Sequence, residues 1–221
     1  MKDIINTASQ FVTSSVGRKI LVALTGACLL LFLVGHLAGN MTVYASTEAG
    51  DPWINYYAQG LHAMPAWLLW SIRLGLLAVA LVHMGFTLML KYENVNARLN
   101  YQKEGTLKAT LSSRSMVLTG VMIACFLVFH LWQLTINGDP ADCKGHIVHA
   151  FSNPVCAIFY IAAICCLFMH VRHGFQSIFQ TLGLATRKIR PLYDLAGIAF
   201  GVVVCGLYIS IPVGVMIGFI K

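Results

Sequence analysis

The chain has 221 residues, of which 58% are hydrophobic and only 10% are charged. Soluble domains carry about 25% charged residues, so this composition excludes a soluble globule, a disordered chain and a nucleic-acid-binding domain. A net charge of +7 in so apolar a chain is typical of a membrane protein whose basic residues set its topology.

Five apolar runs are long enough to cross a bilayer, which takes about 20 residues. Because they are continuously apolar and lack the alternation of barrel strands, each is predicted to be a helix. The predicted spans are residues 20–38, 66–90, 116–136, 155–180 and 195–219. The fourth is expected to continue beyond the bilayer as an amphipathic segment that ends at Gly183. The fold class is therefore an all-α integral membrane bundle of five helices.

Two domains of unequal size are expected: an N-terminal segment over residues 1–17, cytoplasmic or at the membrane interface, and the five-helix bundle over residues 18–221. Apolar side chains in the first segment recur at helical spacing, so a helix on the membrane surface is one interpretation and a disordered tail is the other. These side chains are Ile4, Ile5, Ala8, Phe11 and Val12.

Basic residues are divided unevenly between the loops. Eleven of the fifteen lysines and arginines lie in the N-terminal segment and in the loops that follow the second and fourth spans. The other two loops contain only Lys144. By the positive-inside rule, the N-terminus is predicted to be cytoplasmic. Cys143 and Cys156 flank an outer loop, and their pairing is left open.

Four histidines lie deep in apolar spans, one on each of the first four: His36, His83, His130 and His170. A single such histidine is often explained by an interhelical hydrogen bond. Ionisable groups in a membrane are costly, however, and four in successive spans favour a functional interpretation.

The depths of these histidines form two pairs. At a rise of 1.5 Å per residue, His36 and His130 lie roughly 27 and 24 Å from the inner edge of the membrane. His83 and His170 lie at the same distances from the outer edge. Two imidazoles from different helices at one depth are the axial ligands of a six-coordinate haem. Zinc or copper would need three or four ligands at one depth. The spacing therefore predicts two haems b, an outer one on His36 and His130 and an inner one on His83 and His170.

Several neighbouring residues are candidates for secondary roles at these haems. Arg73 is a candidate partner of an outer-haem propionate, with snorkelling to the interface as the alternative. Arg172 and His173 are the corresponding candidates at the inner haem. Glycines near the histidines are expected to give the rings room, although glycine is also common in membrane helix packing. They are Gly26, Gly35, Gly85, Gly120 and Gly174.

Three segments carry a family resemblance: GRKILVALTGACLLLFLVGHLAGN, NYYAQGLHAMPAWLLWSIRLGLLAVALVH and HVRHGFQSIFQTLG. They resemble the membrane-anchor cytochrome b of succinate dehydrogenases and fumarate reductases, of the single-chain, five-helix, two-haem type, over essentially the whole chain. The resemblance implies axial ligands on the first four helices, at His36, His83, His130 and His170. Members of the family can lack the second histidine of the HxxHG stretch, so the ligand role falls on His170 rather than His173.

The resemblance also implies partners and a location. A flavoprotein with FAD, which would hold the dicarboxylate site, and an iron-sulfur subunit would dock on the cytoplasmic face of a bacterial inner membrane. Residues 91–114 and 187–190 are candidate docking surfaces, and whether the complex is a dimer is left open. The lipid-embedded chain would pass electrons between iron-sulfur clusters and menaquinone or another quinone. Polar groups of the outer loop are candidate quinone contacts: Asn40, Tyr44, Asn55, Tyr56, Gln59 and His62.

Two other functions compete with this interpretation. Other dihaem cytochromes b often place two ligands on one helix, whereas here each of four helices would supply one. A haem-free transporter would show inverted repeats or broken helices at mid-membrane. No internal repeat is expected, and Pro212 is the only proline inside a span. None of the eight acidic residues lies in the middle of a span, so no carboxylate carrier for protons is expected there.

Overall fold

The computed structural model of the protein describes residues 2–99 and 111–221. Within these ranges the fold is helical, apart from one isolated β-bridge between Ser46 and Pro52. The helices are α1 (Lys2–Thr13), α2 (Ser15–Met41), α3 (Trp53–His62), α4 (Ala66–Leu99), α5 (Leu111–His130), α6 (Cys143–Ser152), α7 (Pro154–Thr181) and α8 (Arg190–Met216). A 3₁₀ turn over Thr42–Tyr44 follows α2, and α5 continues as a π-helix over Leu131–Ile136.

Five of these helices, namely α2, α4, α5, α7 and α8, are long and apolar enough to cross a membrane. The predicted five-helix membrane bundle is therefore confirmed, and the chain is a multi-pass membrane protein. Helix α2 packs against α4 and α5 packs against α7, while α7 also contacts α2 and α8. We label the two ends of the bundle outer and inner, following the orientation that the basic residues predict.

The helix ends differ from the predicted spans where polar residues extend or stop a helix. Helix α4 runs to Leu99, beyond the predicted end at residue 90, because its polar extension contains no glycine or proline to break it. Helix α8 ends at Met216 rather than at residue 219. Gly218 adopts φ +73°, a left-handed conformation that ends a helix, and Ile220 N–H donates to the Gly214 carbonyl at 3.0 Å.

Residues Lys2–Thr13 of the N-terminal segment form a helix, and its location on the membrane surface stays a prediction. Ser14 separates α1 from α2 and caps α2 by accepting a hydrogen bond from Gly17 N–H at 2.9 Å. The break therefore lies at Ser14, and the expected domain boundary at residue 17 falls inside α2. Arg18 is buried where the two helices meet, donating to the Thr13 carbonyl at 2.8 Å and pairing with Glu93 of α4.

The outer end of the bundle is covered by structure that the sequence analysis did not predict. Helix α6 packs against the ends of α7 and α8, and α3 packs against α6 and the outer end of α2. Their apolar side chains form a core with those ends, built from Val43, Ile54, Ile147, Ala150, Phe151, Ala157, Tyr160, Ile211, Val215 and Ile220. Asn55 Oδ1 accepts a hydrogen bond from Lys144 N–H at 2.8 Å, which links the two helices. The outer loops are therefore an ordered lid on the bundle.

Helix α7 is fixed at both ends and along one face. At its start, Asn153 Oδ1 accepts from Val155 N–H at 2.9 Å. At its end, Gly183 adopts φ +74° and Leu184 N–H donates to the Phe179 carbonyl at 2.9 Å, which confirms the predicted glycine cap. Along its face, Gly201 of α8 lets the Phe168 ring approach so closely that a Cβ would lie 2.9 Å from it. Helix α8 thus packs along α7, and it also contacts α2, where Tyr208 Oη donates to the Leu33 carbonyl at 2.8 Å and its ring lies 6.1 Å from that of His36.

Candidate functional site

The outer pair of histidines meets between α2 and α5. The ring centres of His36 and His130 are 5.9 Å apart and nearly perpendicular, at 86°. Phe32 stacks on His36 at 5.4 Å, and Phe126 lies 5.6 Å from His130. An aromatic ring one turn earlier on each helix therefore supports each imidazole.

The inner pair meets between α4 and α7. The ring centres of His83 and His170 are 6.4 Å apart, at an angle of 67°. Each ring also has polar contacts on a further helix. His83 Nδ1 lies 3.1 Å from the Val22 carbonyl of α2, and Met116 of α5 supplies the backbone hydrogen bond of His170. Both imidazoles are thus held across a helix interface.

The separation within each pair fits one metal atom between two imidazoles. With metal–nitrogen bonds of about 2 Å, two ligating rings have centres on the order of 6 Å apart. Both pairs have this spacing. Among the residues that the structure describes, no cluster of three or more histidine, cysteine or acidic side chains could hold a metal. Two ligands per site suit a haem, whose porphyrin supplies the other four positions.

A carbonyl can only accept a hydrogen bond, so its contact with His83 fixes the tautomer. The proton of His83 lies on Nδ1 and is donated to Val22. Nε2 then carries the free lone pair, which is the form that ligates a metal. The Met116 carbonyl gives His170 the same tautomer.

A polar network beside His130 was missed by the sequence analysis. Tyr160 Oη lies 3.4 Å from His130 Nδ1 and donates to Gln133 Oε1 at 2.8 Å. The Gln133 carbonyl lies 3.0 Å from His146 Nε2, so His146 is tied to the bundle. Gln133 lies in the π-helix that follows His130. The only sequence signal for this network was that Gln133 lies three residues after His130, a ligand candidate.

Two of the five glycines near the histidines contact a ring. A Cβ on Gly26 would lie 3.1 Å from His83 Cε1, and one on Gly120 would lie 3.4 Å from His170 Cε1. Gly35, Gly85 and Gly174 have no neighbouring heavy atom within 4 Å of that position. The close approach therefore occurs at the inner pair, on α2 and α5.

The three candidate propionate partners have different surroundings. Arg73 lies over the ring of Trp70 on its own helix, 5.5 Å from the centroid. Arg172 Nη2 lies 4.0 Å from Asp194 Oδ1 of α8. His173 follows it on α7, one turn beyond His170. Arg172 and His173 thus lie at the inner end of the bundle.

Most of the quinone candidates in the outer loop are engaged in local hydrogen bonds. Asn40 donates to the His36 carbonyl, Tyr44 pairs with Ser210 and Tyr56 donates to Asp51 at 3.2 Å. Because Asp51 is negatively charged, it raises the pKa of the Tyr56 phenol. His62 is exposed at the end of α3, with Nδ1 2.9 Å from the Ala58 carbonyl. Gln59 lies one turn before it on α3.

The remaining sequence-predicted features are partly described. All seven cysteines are free, so Cys143 and Cys156 do not pair, and Gln133 Nε2 donates to Cys156 Sγ at 3.4 Å. Of the basic segment 91–114, residues 100–110 lie outside the described residues. On the N-terminal apolar face, Phe11 and Val12 are exposed, and the side chains of Ile4, Ile5 and Ala8 are not among those described.

Comparison with known proteins identifies the family. The family model described as succinate dehydrogenase/fumarate reductase transmembrane subunit matches residues 89–209, more than half of the chain. No curated protein and no solved structure matches it. The matched range includes one histidine of each ring pair, His130 on α5 and His170 on α7. With five membrane-crossing helices and this match, the chain belongs to the transmembrane subunit family of succinate dehydrogenases and fumarate reductases and is a membrane subunit of that oxidoreductase complex.

Proposed function

We propose that the chain is the dihaem cytochrome b subunit of a succinate:quinone oxidoreductase in a bacterial inner membrane, with its N-terminus in the cytoplasm. It anchors a flavoprotein subunit with FAD and an iron-sulfur subunit, and it passes electrons between the iron-sulfur clusters and the quinone pool. The observation that carries the proposal is the presence of two ring pairs, each spaced for one metal, at two levels between the same four helices. Other dihaem cytochromes b that place two ligands on one helix fit this arrangement less well.

The ligand roles follow from the ring pairs. His36 and His130 would hold the outer haem b, and His83 and His170 the inner one. When bound, each haem supplies a one-electron carrier. The protein holds each imidazole in place, fixes the tautomer of the inner ligands through carbonyl acceptors, and keeps water out of the space between the four helices. Arg73 would face the outer propionates, and Arg172 and His173 the inner ones.

The quinone, menaquinone or another, is assigned to the outer end of the bundle. The outer loop between α2 and α4 concentrates groups that can bond a quinone carbonyl, and it adjoins His36. His62, Tyr56 and Gln59 on α3 are the central candidates, and Asn40, Tyr44 and Asn55 flank them. Because no carboxylate lies at mid-membrane, protons for the quinone would come from the outer aqueous side. Electrons would cross most of the membrane, so turnover would be coupled to the membrane potential.

The partner subunits are assigned to the inner end. Basic residues accumulate there at 91–114 and 187–190. Those whose side chains are described, Lys91, Arg187, Lys188 and Arg190, are exposed, and such residues suit a negatively charged protein surface. Glu93 is engaged by Arg18 and Asp194 lies near Arg172. The inner end is predominantly basic because its segments carry more lysines and arginines than acidic residues.

The proposed function is tested by reducing the complex with its own substrate. Succinate added to the purified, oxidised complex should produce the reduced-minus-oxidised spectrum of haem b, and fumarate should reoxidise dithionite-reduced haem. Electron transfer between the flavoprotein and this chain is the reason for both results. A preparation that contains all three subunits but shows no b-type absorption would contradict the proposal and favour a haem-free function.

A substitution one turn along α7 tests which histidine is the inner ligand. His173→Asn should retain both haems, whereas His170→Asn should lose the inner one, because only His170 faces His83 across the pair. The measurement is haem content per chain in the two purified variants. Loss of haem in His173→Asn with retention in His170→Asn would place the ligand one turn further along the helix.

A further inference from the structure

Two helices of the bundle carry the same pattern, so the expectation of no internal repeat is wrong. Residues 24–36 of α2 and residues 118–130 of α5 both begin with Leu-Thr-Gly and end with Phe-Leu-Val-x-His at the same spacing. The final residue of each copy is a histidine of the outer pair. The helices run in the same direction by the predicted topology, so this is a parallel repeat and not the inverted repeat of a transporter.

The threonine of each copy lies beside a histidine of the inner pair on another helix. Thr25 Oγ1 is 3.2 Å from His83 Nδ1, and Thr119 Oγ1 is 3.3 Å from His170 Nδ1. The carbonyl three residues earlier also bonds the same ring, from Val22 in the first copy and from Met116 in the second.

The direction of these hydrogen bonds follows from the neighbouring groups. Thr25 donates its own proton to the Leu21 carbonyl at 2.6 Å, and Thr119 donates to the Ser115 carbonyl at 3.0 Å. Each hydroxyl oxygen therefore remains available as an acceptor toward the ring, and the carbonyls can only accept. The Nδ1–H of each inner histidine is shared between a threonine oxygen and a backbone carbonyl.

We infer that Thr25 and Thr119 are positioning residues that hold the two inner histidines by their Nδ1–H groups and tune the inner haem. The inference rests on the proposed dihaem function. Acceptors at Nδ1 orient the ring and increase the basicity of Nε2. A more basic ligand stabilises the oxidised, more positive iron, so the two hydroxyls lower the reduction potential of the inner haem.

The spacing of the repeat explains why one helix can serve both haems. The outer histidine lies eleven positions after the threonine in each copy, which is about three turns and about 16 Å along the axis. Both side chains therefore lie on nearly the same face, at different depths. The glycine after each threonine lets the inner ring approach the helix, since a Cβ there would lie 3.1 or 3.4 Å from it.

The experiment is a redox titration of valine variants in the assembled complex. Thr25→Val and Thr119→Val keep the shape of the side chain and remove the acceptor. Loss of one hydrogen bond is expected to change the equilibrium between oxidised and reduced haem by about threefold. A tenfold change in the equilibrium constant of a one-electron couple is about 59 mV, so a threefold change is about 30 mV. We therefore expect each variant to raise the midpoint potential of the inner haem by about 30 mV. The double variant should shift it about twice as far, and the outer haem should not move.

Two controls separate tuning from general damage. Thr25→Ser and Thr119→Ser retain the hydroxyl and should restore the wild-type potential. Thr87→Val removes a hydroxyl that donates only to the His83 carbonyl on its own helix at 2.6 Å, and it should leave both potentials unchanged. If valine instead expels the inner haem, its retention in the serine variant supports the inference.

Three outcomes would contradict the inference that Thr25 and Thr119 tune the inner haem. Two retained haems with an unchanged or lower inner potential in both valine variants would show that the hydroxyls do not tune the site. Loss of the haem in both the valine and the serine variants would show a packing role only. A wild-type complex without two haems would contradict the proposed function itself, and the inference would fall with it.

Discussion

Replacing His83 or His170 with alanine should remove the inner haem, and replacing His36 or His130 should remove the outer one. Each haem would be held by two imidazoles from different helices, so a single alanine leaves a site with one axial ligand and an empty space. We expect haem content to fall from two per chain to one in each single variant. The measurement is haem per purified chain, together with the redox wave that disappears.

The four alanine variants also test which two histidines share a haem. His36→Ala and His130→Ala should lose the same redox wave, and His83→Ala and His170→Ala the other. His149→Ala is a matched control, because His149 is an exposed histidine of α6 outside both ring pairs, and it should retain both haems. Loss of the same wave in His36→Ala and His83→Ala would contradict the pairing that the ring contacts suggest.

Removal of the outer haem should abolish reaction with quinone while the soluble subunits keep working. If quinone reacts beside the outer haem, the His36→Ala complex has no route for electrons to it. Succinate-driven quinone reduction should fall to background, whereas fumarate reduction by benzyl viologen should continue. Quinone activity that survives in a complex lacking the outer haem would instead place the quinone site at the inner end.

Two substitutions in α3 then test the residues at the outer site. His62→Ala and Tyr56→Phe should lower quinone turnover while both haems remain, because each removes a hydrogen-bonding group near the expected quinone carbonyls. His149→Ala on the neighbouring outer helix serves again as the control. Unchanged quinone kinetics in both α3 variants would remove His62 and Tyr56 from the site.

The membrane architecture could be predicted from the sequence because its signals are local. Continuous apolar runs fix the five spans, and a glycine after an amphipathic stretch fixes the end of α7 at Gly183. The depths of the four histidines follow from a constant helical rise, which is why residue counting alone suggested the two pairs.

Contacts between helices were the part that could not be predicted. The support of His83 by Thr25 joins residues 58 positions apart in the chain, and the sequence does not show which helix faces meet. Helices α3 and α6 were missed because they are too short for a membrane span, and their stability comes from the apolar core they form at the outer end. The network of Tyr160 and Gln133 depends on the π-helix after His130, which shifts the register of the side chains and has no clear sequence signal.

The most direct test of the central claim is the haem content of the wild-type complex. Haem extracted from purified protein and quantified against this chain, with a redox titration of the b-type absorption, gives the number of sites and their potentials. The account predicts two haems b per chain, titrating as two separate one-electron waves. One haem per chain, or none, in a complex that retains its flavoprotein and iron-sulfur subunits would contradict it.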